Sequence, residues 1–211
     1  MPLVAKQTGG GGNLDPVPHG SHHAICYSIV DIGTQYSKKY DKSQHKIVLT
    51  WEVPDERMIV MRDGQELDMP RVISGKYTLS LSDLATLRQH LASWRSRDFT
   101  QEELDGFDVF TVAGANCLIS VVHEQDENKR TYAKVKGVSP LLKSMSKKEP
   151  ENPIVTYCLG EGPIPATVPE WLVKLIHQSE EWMAMEHAAD GRVEDDAREE
   201  WDENAIDDIP F

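Results

Sequence analysis

The chain has 211 residues, of which 39% are hydrophobic and 27% are charged, and its formal net charge is −13. This length suits one globular domain with appendages, and this composition excludes a chain that is disordered throughout. No stretch reaches the roughly 18 apolar residues of a membrane helix, and residues 1–12 lack the apolar core of a secretory signal. We therefore predict a cytoplasmic protein with no membrane partner.

The acidic side chains are concentrated at the C-terminal end. Residues 186–211 carry 11 acids and two bases, a net charge of −9, whereas residues 22–148 carry 17 acids and 18 bases. Because the body is nearly balanced, the overall acidity does not exclude a nucleic-acid partner. We predict a flexible Gly-rich arm over 1–20, a folded domain over 21–185 and an acidic tail over 186–211.

Histidines and cysteines give no sign of a metal site or a disulfide. His19, His22 and His23 fall in or beside the Gly-rich arm, where ligands have no fixed geometry. The three cysteines are far apart, and none forms a C-x-x-C pair. Two of them lie in apolar stretches and are expected to be small core residues. We predict no metal and no cofactor.

The first half of the domain is predicted to form strands. "HAICYSIVDIGTQY" and "HKIVLTWEV" are rich in β-branched and alternating apolar residues, and a polar, Lys-rich turn joins them. "MIVMRDGQELDMP" follows, with Asp63-Gly64 as a tight-turn signal. "RVISGKYTLSL" is predicted to be a further strand.

A helix interrupts the strands. "SDLATLRQHLASWRS" begins with a possible cap at Ser82 or Asp83, and its apolar residues recur at helical spacing: Leu84, Leu87, Leu91 and Trp94. Thr100 and Glu103 have the spacing of a capping box and predict a second, short helix.

The remaining elements are strands followed by a C-terminal helix. "FDVFTVA" is predicted as a strand, and "NCLISVVHEQ" and "RTYAKVKGVSPL" as a hairpin. "IVTYCLG" is predicted to be a short extended segment, and residues 169–185 are predicted to form an amphipathic helix. The pattern leaves open whether this helix packs on the barrel or on a second subunit of a homo-oligomer.

This order of elements predicts an α+β fold in which β dominates. Five or six strands with one late inserted helix are typical of an OB-fold, a small Greek-key barrel that binds oligonucleotides across one face. The predicted architecture is thus an OB-fold-like barrel with an inserted helix, a C-terminal helix and a disordered acidic tail.

Three stretches interleave basic and aromatic residues, as surfaces for single-stranded nucleic acid do. Tyr132, Lys134 and Lys136 share strand parity and are predicted to point to one face. Arg95 and Arg97 lie at a helix end, where they either complement the helix dipole or contact phosphate. The full set of predicted nucleic-acid contacts is Tyr36, Lys38, Lys39, Tyr40, Lys42, Lys46, Arg71, Lys76, Tyr77, Arg95, Arg97, Lys129, Arg130, Tyr132, Lys134 and Lys136.

The chain ends in "DDIPF", which resembles the tip of bacterial single-stranded DNA-binding proteins in its acids, its Ile-Pro-Phe and its free carboxylate. In that family the tip docks onto replication and repair enzymes. The resemblance implies that Phe211 enters an apolar pocket while its carboxylate meets a basic residue, and that Asp207 and Asp208 face a basic rim. Pro210, after Ile209, limits the conformations lost on binding.

The body of the chain does not resemble the bacterial protein, whose long Gly/Gln-rich linker is missing here. "IVDIGTQY", "HKIVLTWEVPDE" and "ISGKYTLSLSDLATLRQHLASWRSRDFT" instead resemble a family of tailed-bacteriophage proteins regarded as OB-fold single-stranded DNA-binding proteins. This resemblance spans roughly residues 20–180. It implies a protein of the host cytoplasm that acts in DNA replication or recombination.

The sequence therefore predicts a non-enzymatic protein that binds single-stranded DNA without sequence preference and recruits partner enzymes through its tip. No phosphate-binding loop, dinucleotide fingerprint or zinc-protease motif is present in the sequence. Two alternatives remain open at this point. One is an acidic DNA mimic that occupies a host nucleic-acid-binding protein, and the other is a divergent nucleic-acid-processing enzyme.

Overall fold

The structure is a computed structural model, and it describes residues 16–38, 41–62, 64–126 and 128–190. Its elements, in chain order, are β1 (Gly20–Ser37), β2 (Lys42–Arg62), β3 (Gln65–Thr78), α1 (Thr86–Arg95), α2 (Gln101–Asp105), a 3-10 turn (Val109–Val112), β4 (Asn116–Gln125), β5 (Thr131–Pro140), β6 (Val155–Tyr157), α3 (Glu170–His177) and α4 (Glu180–Asp190).

The strands form one six-stranded sheet in the order β3-β2-β1-β4-β5, with β6 paired to β1. All neighbours on this path are antiparallel, and only the short β6 runs parallel to its partner. β1 pairs with β4 through its first residues and with β2 through the rest, while β3 and β5 contact each other across the open ends of the path. α1, inserted between β3 and β4, packs on both β5 and β3. The predicted fold class is confirmed: the fold is α+β and dominated by β. Its open sheet brings β3 into contact with β5, as in a partly open, OB-fold-like barrel.

The first hydrophobic core fills the barrel and is closed by α1. Trp51 of β2 is 1% exposed, and its ring centroid lies 6.3 Å from that of Tyr77 and 6.5 Å from that of Trp94. Leu87 and Leu91 of α1 are buried in the same cluster. The helix therefore packs into the barrel through the i, i+4, i+7 stripe that the sequence predicts.

A second core lies on the other side of β1 and β2. Val30 and Val48 of these strands are buried against Leu172 and Ile176 of α3, with Tyr157 of β6 beside them. Both faces of β1 are therefore covered, which explains its long apolar run. The C-terminal helices pack on the barrel of their own chain.

A bulge in β1 provides the place where α4 docks. The β1–β2 register shifts between Asp31 and Thr34, and Gly33 has φ +68°. A Cβ on Gly33 would lie 2.6 Å from the Cβ of Ser179, so only glycine allows this approach. Thr34 then donates its N–H (2.7 Å) and its hydroxyl (2.5 Å) to Glu181 of α4.

The first helix begins later than predicted. α1 starts after Ala85, whose side chain makes no cap. The helix starts this late because the Ser82 carbonyl accepts the Ala85 N–H (2.9 Å) and closes a separate turn before it. The Asp83 carboxylate accepts from Arg88 instead of capping the helix. Leu84 thus precedes the helix and is 89% exposed, so its predicted place on the buried stripe is wrong. The capping box of Thr100 and Glu103 is confirmed.

Two other predicted elements differ. "FDVFTVA" is not a strand, because the Asp108 carboxylate accepts the Phe110 N–H (2.9 Å) and starts the 3-10 turn. The single helix predicted over 169–185 is two helices. The buried Ser179 donates to the Ile176 carbonyl (2.7 Å) and accepts from the Trp182 N–H (3.2 Å), so it ends α3 and caps α4.

Candidate nucleic-acid interface

A cleft of about 980 Å³ lies at the seam between β3 and β5. Its walls are the start of β2, the end of β3, the loop into α1 with the first turns of that helix, and β5. The lining is rich in hydroxyl groups as well as lysines: Ser74, Thr78, Ser80, Ser82 and Thr86.

The cleft is basic although the chain is acidic. Four lysines line it, namely Lys42, Lys46, Lys76 and Lys134, against one described carboxylate, Glu124. Burial lowers the pKa of His90, which also lines the cleft, so this imidazole is neutral at pH 7. The described lining therefore has a formal charge of +3, in a chain whose net charge is −13.

The alternation of side chains along β3 determines which of its residues line the cleft. Ser74, Lys76 and Thr78 share one face of β3, opposite to the face that carries Tyr77 into the core. Lys46 of β2 is paired with Thr78 and is only 8% exposed. Its ammonium donates to the Thr78 hydroxyl and to Oε1 of Gln44, both at 2.9 Å. The cleft floor thus holds a buried cation that donates hydrogen bonds to two neutral side chains.

Tyr132 and Leu84 provide the apolar surface that faces solvent in the cleft. Tyr132, on β5, is half-buried, and its hydroxyl donates to Glu124 Oε2 (3.1 Å). Leu84 comes from the loop before α1. Lysines beside a half-buried ring and an exposed aliphatic side chain provide charge for phosphates and apolar surface for bases.

The structure corrects the prediction that Tyr77 contacts nucleic acid, because its ring is not available for stacking. It is 5% exposed and packs edge-on against Trp51. His90 Nε2 donates to the Lys136 carbonyl (3.2 Å), so Nδ1 is the acceptor for the Tyr77 hydroxyl at 2.9 Å. Tyr77 is therefore a core residue beneath the cleft.

Arg95 and Arg97 lie away from the cleft, in an ion-pair cluster. Both guanidinium groups donate to the Glu103 carboxylate. The Arg95 guanidinium also stacks between the rings of Phe99 (4.5 Å) and Phe107 (4.8 Å). These contacts tie α1 to α2, so the structure supports the structural interpretation of Arg95 over the phosphate contact.

Lys136 does not join Tyr132 and Lys134 in the lining. Ser120 pairs with Gly137 and Val121 with Val135, so Lys136 is the extra residue of a β-bulge. Lys136 is nevertheless exposed, as Lys134 is, and its charge also acts on Glu124. The common face of the three residues therefore stays a prediction.

The other predicted contacts lie in or near the adjoining turns, or outside the described residues. Tyr36 and Lys38 lie at the β1–β2 turn, and Lys129 and Arg130 lie at the β4–β5 turn. Arg71 lies on β3, where it is paired with Val53 of β2. None of these five lines the cleft. Lys39, Tyr40 and the five tip residues Asp207, Asp208, Ile209, Pro210 and Phe211 lie outside the described residues.

Part of the lining is not among the contacts predicted from the sequence. Ser74 and Thr78 could have been found, because they alternate with Lys76 on β3. His90 and Glu124 carry no local signal, since they reach the cleft only through the packing of α1 and the pairing of β4 with β5.

His22, His23 and two of the cysteines are held in structural contacts. His22 contacts Pro18 and Glu56, and His23 contacts Asn116. Cys26 and Cys117 are buried in the barrel core, as predicted. Over the described ranges, His, Cys, Asp and Glu nowhere gather in a group of three that could hold a metal ion, and no helix is long and apolar enough to cross a membrane. In comparisons with known proteins, the chain matches no family model and no curated sequence.

Proposed function

We propose that the chain binds single-stranded DNA in the cleft between β3, β5 and α1. The observation that carries the proposal is the local reversal of charge: among the described residues, four lysines and one carboxylate line a concave surface of a chain with net charge −13. In OB-folds, oligonucleotides bind across the face of strands 2 and 3 and the loops beside it, and this cleft begins on the corresponding strands.

The apolar lining favours a single strand over a duplex. The Tyr132 ring and the Leu84 side chain offer contacts to the faces of bases, and these faces are free only when bases are not stacked in a helix. Phosphate contacts alone do not distinguish the two forms. We therefore expect binding to single strands to be much tighter than binding to duplex.

The lining also favours binding without sequence preference. Lysine contacts to phosphate and stacking on a ring are available to every nucleotide. Base-edge recognition relies on paired donors and acceptors such as arginine, asparagine or glutamine. Gln44 is one such side chain, but its Oε1 is already the acceptor for Lys46.

The cellular role in this proposal rests on the resemblances in the sequence. A single-stranded DNA-binding protein of the phage type acts in DNA replication or recombination, in the cytoplasm of the host cell. In this proposal the DDIPF segment recruits replication or repair enzymes, and the protein itself catalyses no reaction.

The proposal is tested by fluorescence-anisotropy titration of the 211-residue chain with a labelled 30-nucleotide oligo-dT and with the corresponding duplex. Four lysine–phosphate contacts predict a slope of log K against log salt of about −3, or roughly fiftyfold weaker binding at 200 mM than at 50 mM salt. Absence of single-strand binding at 50 mM salt would contradict the proposal and favour a DNA mimic. Equal affinity for duplex would contradict single-strand selectivity, and DNA cleavage in the same samples would favour an enzyme.

A further inference from the structure

One carboxylate lies among the lysines of the cleft and contacts two of the groups proposed to bind DNA. Glu124 of β4 is paired with Tyr132 of β5. Its Oε2 accepts hydrogen bonds from the Lys134 ammonium (2.8 Å) and from the Tyr132 hydroxyl (3.1 Å). Glu124 Oε2 therefore holds both the Lys134 ammonium and the Tyr132 side chain beside the seam between β3 and β5.

Glu124 is ionised in the unliganded protein. Its hydrogen bond with Lys134 is the main cause of a lowered pKa, and the hydrogen bond from Tyr132 acts in the same direction. The charge of Lys134 is thus neutralised locally, and a negative charge stands where a phosphate has to approach. Because Lys134 is half exposed, its ion pair with Glu124 is weak and can exchange for another anion.

We propose that Glu124 takes the place of a DNA phosphate in the empty cleft and competes with DNA for Lys134. In the free protein it holds Lys134 and Tyr132 beside the seam. When a strand binds, the Lys134 ammonium moves from the carboxylate to a phosphate oxygen, and Glu124 is left without this cation near the DNA backbone. Glu124 therefore limits the affinity of the cleft and favours dissociation of the strand. This inference rests on the proposed function of the same cleft.

The experiment is a double-mutant cycle with E124Q, K134Q and the combined variant, titrated with the labelled oligo-dT. Glutamine keeps an acceptor for Tyr132 and removes the charge. We expect E124Q to bind about tenfold more tightly with an unchanged salt slope, because Lys134 contacts a phosphate in both proteins and only the competing carboxylate is lost. In the K134Q background the same substitution is expected to change affinity less than about threefold, because the cation for which Glu124 competes is gone.

E66Q is the matched control, since it removes one exposed carboxylate from the β2–β3 hairpin, and we expect an affinity change of less than about twofold. Thermal unfolding of each variant checks that the fold is kept. Wild-type binding with no gain in E124Q, or an equal gain with and without Lys134, would overturn the inference and leave the proposed function standing. If the wild-type chain does not bind oligo-dT at all, the proposed function fails and the inference fails with it.

Discussion

Replacing Lys42, Lys76 and Lys134 together by alanine is expected to weaken binding to oligo-dT by two to three orders of magnitude at 50 mM salt. All three lysines line the cleft, at the start of β2, near the end of β3 and on β5. Each phosphate that a lysine neutralises on a single strand releases about 0.7 counterion, which contributes roughly eightfold at 50 mM salt. The slope of log K against log salt should fall in magnitude from about 3 to about 1. The measurement is the anisotropy titration at four salt concentrations.

The control for this variant removes the same charge from another part of the surface. Lys143, Lys147 and Lys174 are exposed and do not line the cleft. Alanine at these three positions leaves the net charge equal to that of the cleft variant, and we expect an affinity loss of less than about fivefold. Equal losses in the two variants would mean that the strand is attracted by overall charge and not held in this cleft.

Replacing Trp51 by alanine is expected to lower the free energy of unfolding by about 3–5 kcal/mol. The indole is buried at the centre of the barrel core, between Tyr77 of β3 and Trp94 of α1. Its loss leaves a cavity where the strands meet the inserted helix. For a domain of this size the midpoint of thermal unfolding should fall by roughly 10–15 °C. Urea denaturation followed by circular dichroism measures the change.

Leu84 and Leu87 provide a matched pair for the same experiment. Leu87 is buried in the barrel core, and its replacement by alanine should cost about 2–5 kcal/mol. Leu84 is exposed in the cleft, and its replacement should change stability by no more than about 0.5 kcal/mol. A similar cost at the two positions would place Leu84 on the buried stripe of α1 and contradict the position of the helix start.

Much of the sheet could be predicted from the sequence, because its signals are local. The β4–β5 hairpin and the apolar alternation of β2 match the structure. The capping box of Thr100 and Glu103 also matches, because both of its hydrogen bonds join residues three positions apart. Such signals do not depend on what packs against the segment.

The elements that could not be predicted depend on choices between competing hydrogen bonds. Asp83 is a good capping residue, yet its carboxylate is taken by Arg88, and the helix starts two residues later. Ser179 divides one amphipathic stretch into two helices because α4 docks on the bulge at Gly33. A helical pattern in sequence does not show either tertiary contact.

In the candidate site, too, local signals could be predicted from the sequence and tertiary contacts could not. Lys76 and Lys134 can be predicted because interleaved basic and aromatic residues indicate a nucleic-acid surface, and both line the cleft. Tyr77 has the parity of the core face, so its burial could have been predicted from its neighbour Lys76. Arg95 could not be excluded in this way, since its partner Glu103 and its two aromatic neighbours come together only in the fold.

The position of the DNA-binding site is tested most directly by mapping where a bound strand lies. Oligo-dT containing 5-iododeoxyuridine is bound to the chain and irradiated, and the cross-linked peptides are identified by mass spectrometry. We predict cross-links at Tyr132 and within residues 74–90, which form the opposite wall of the cleft. Cross-links confined to the helices α3 and α4, whose exposed surface lies on the other side of β1 and β2, would contradict the assignment of the cleft as the DNA-binding site.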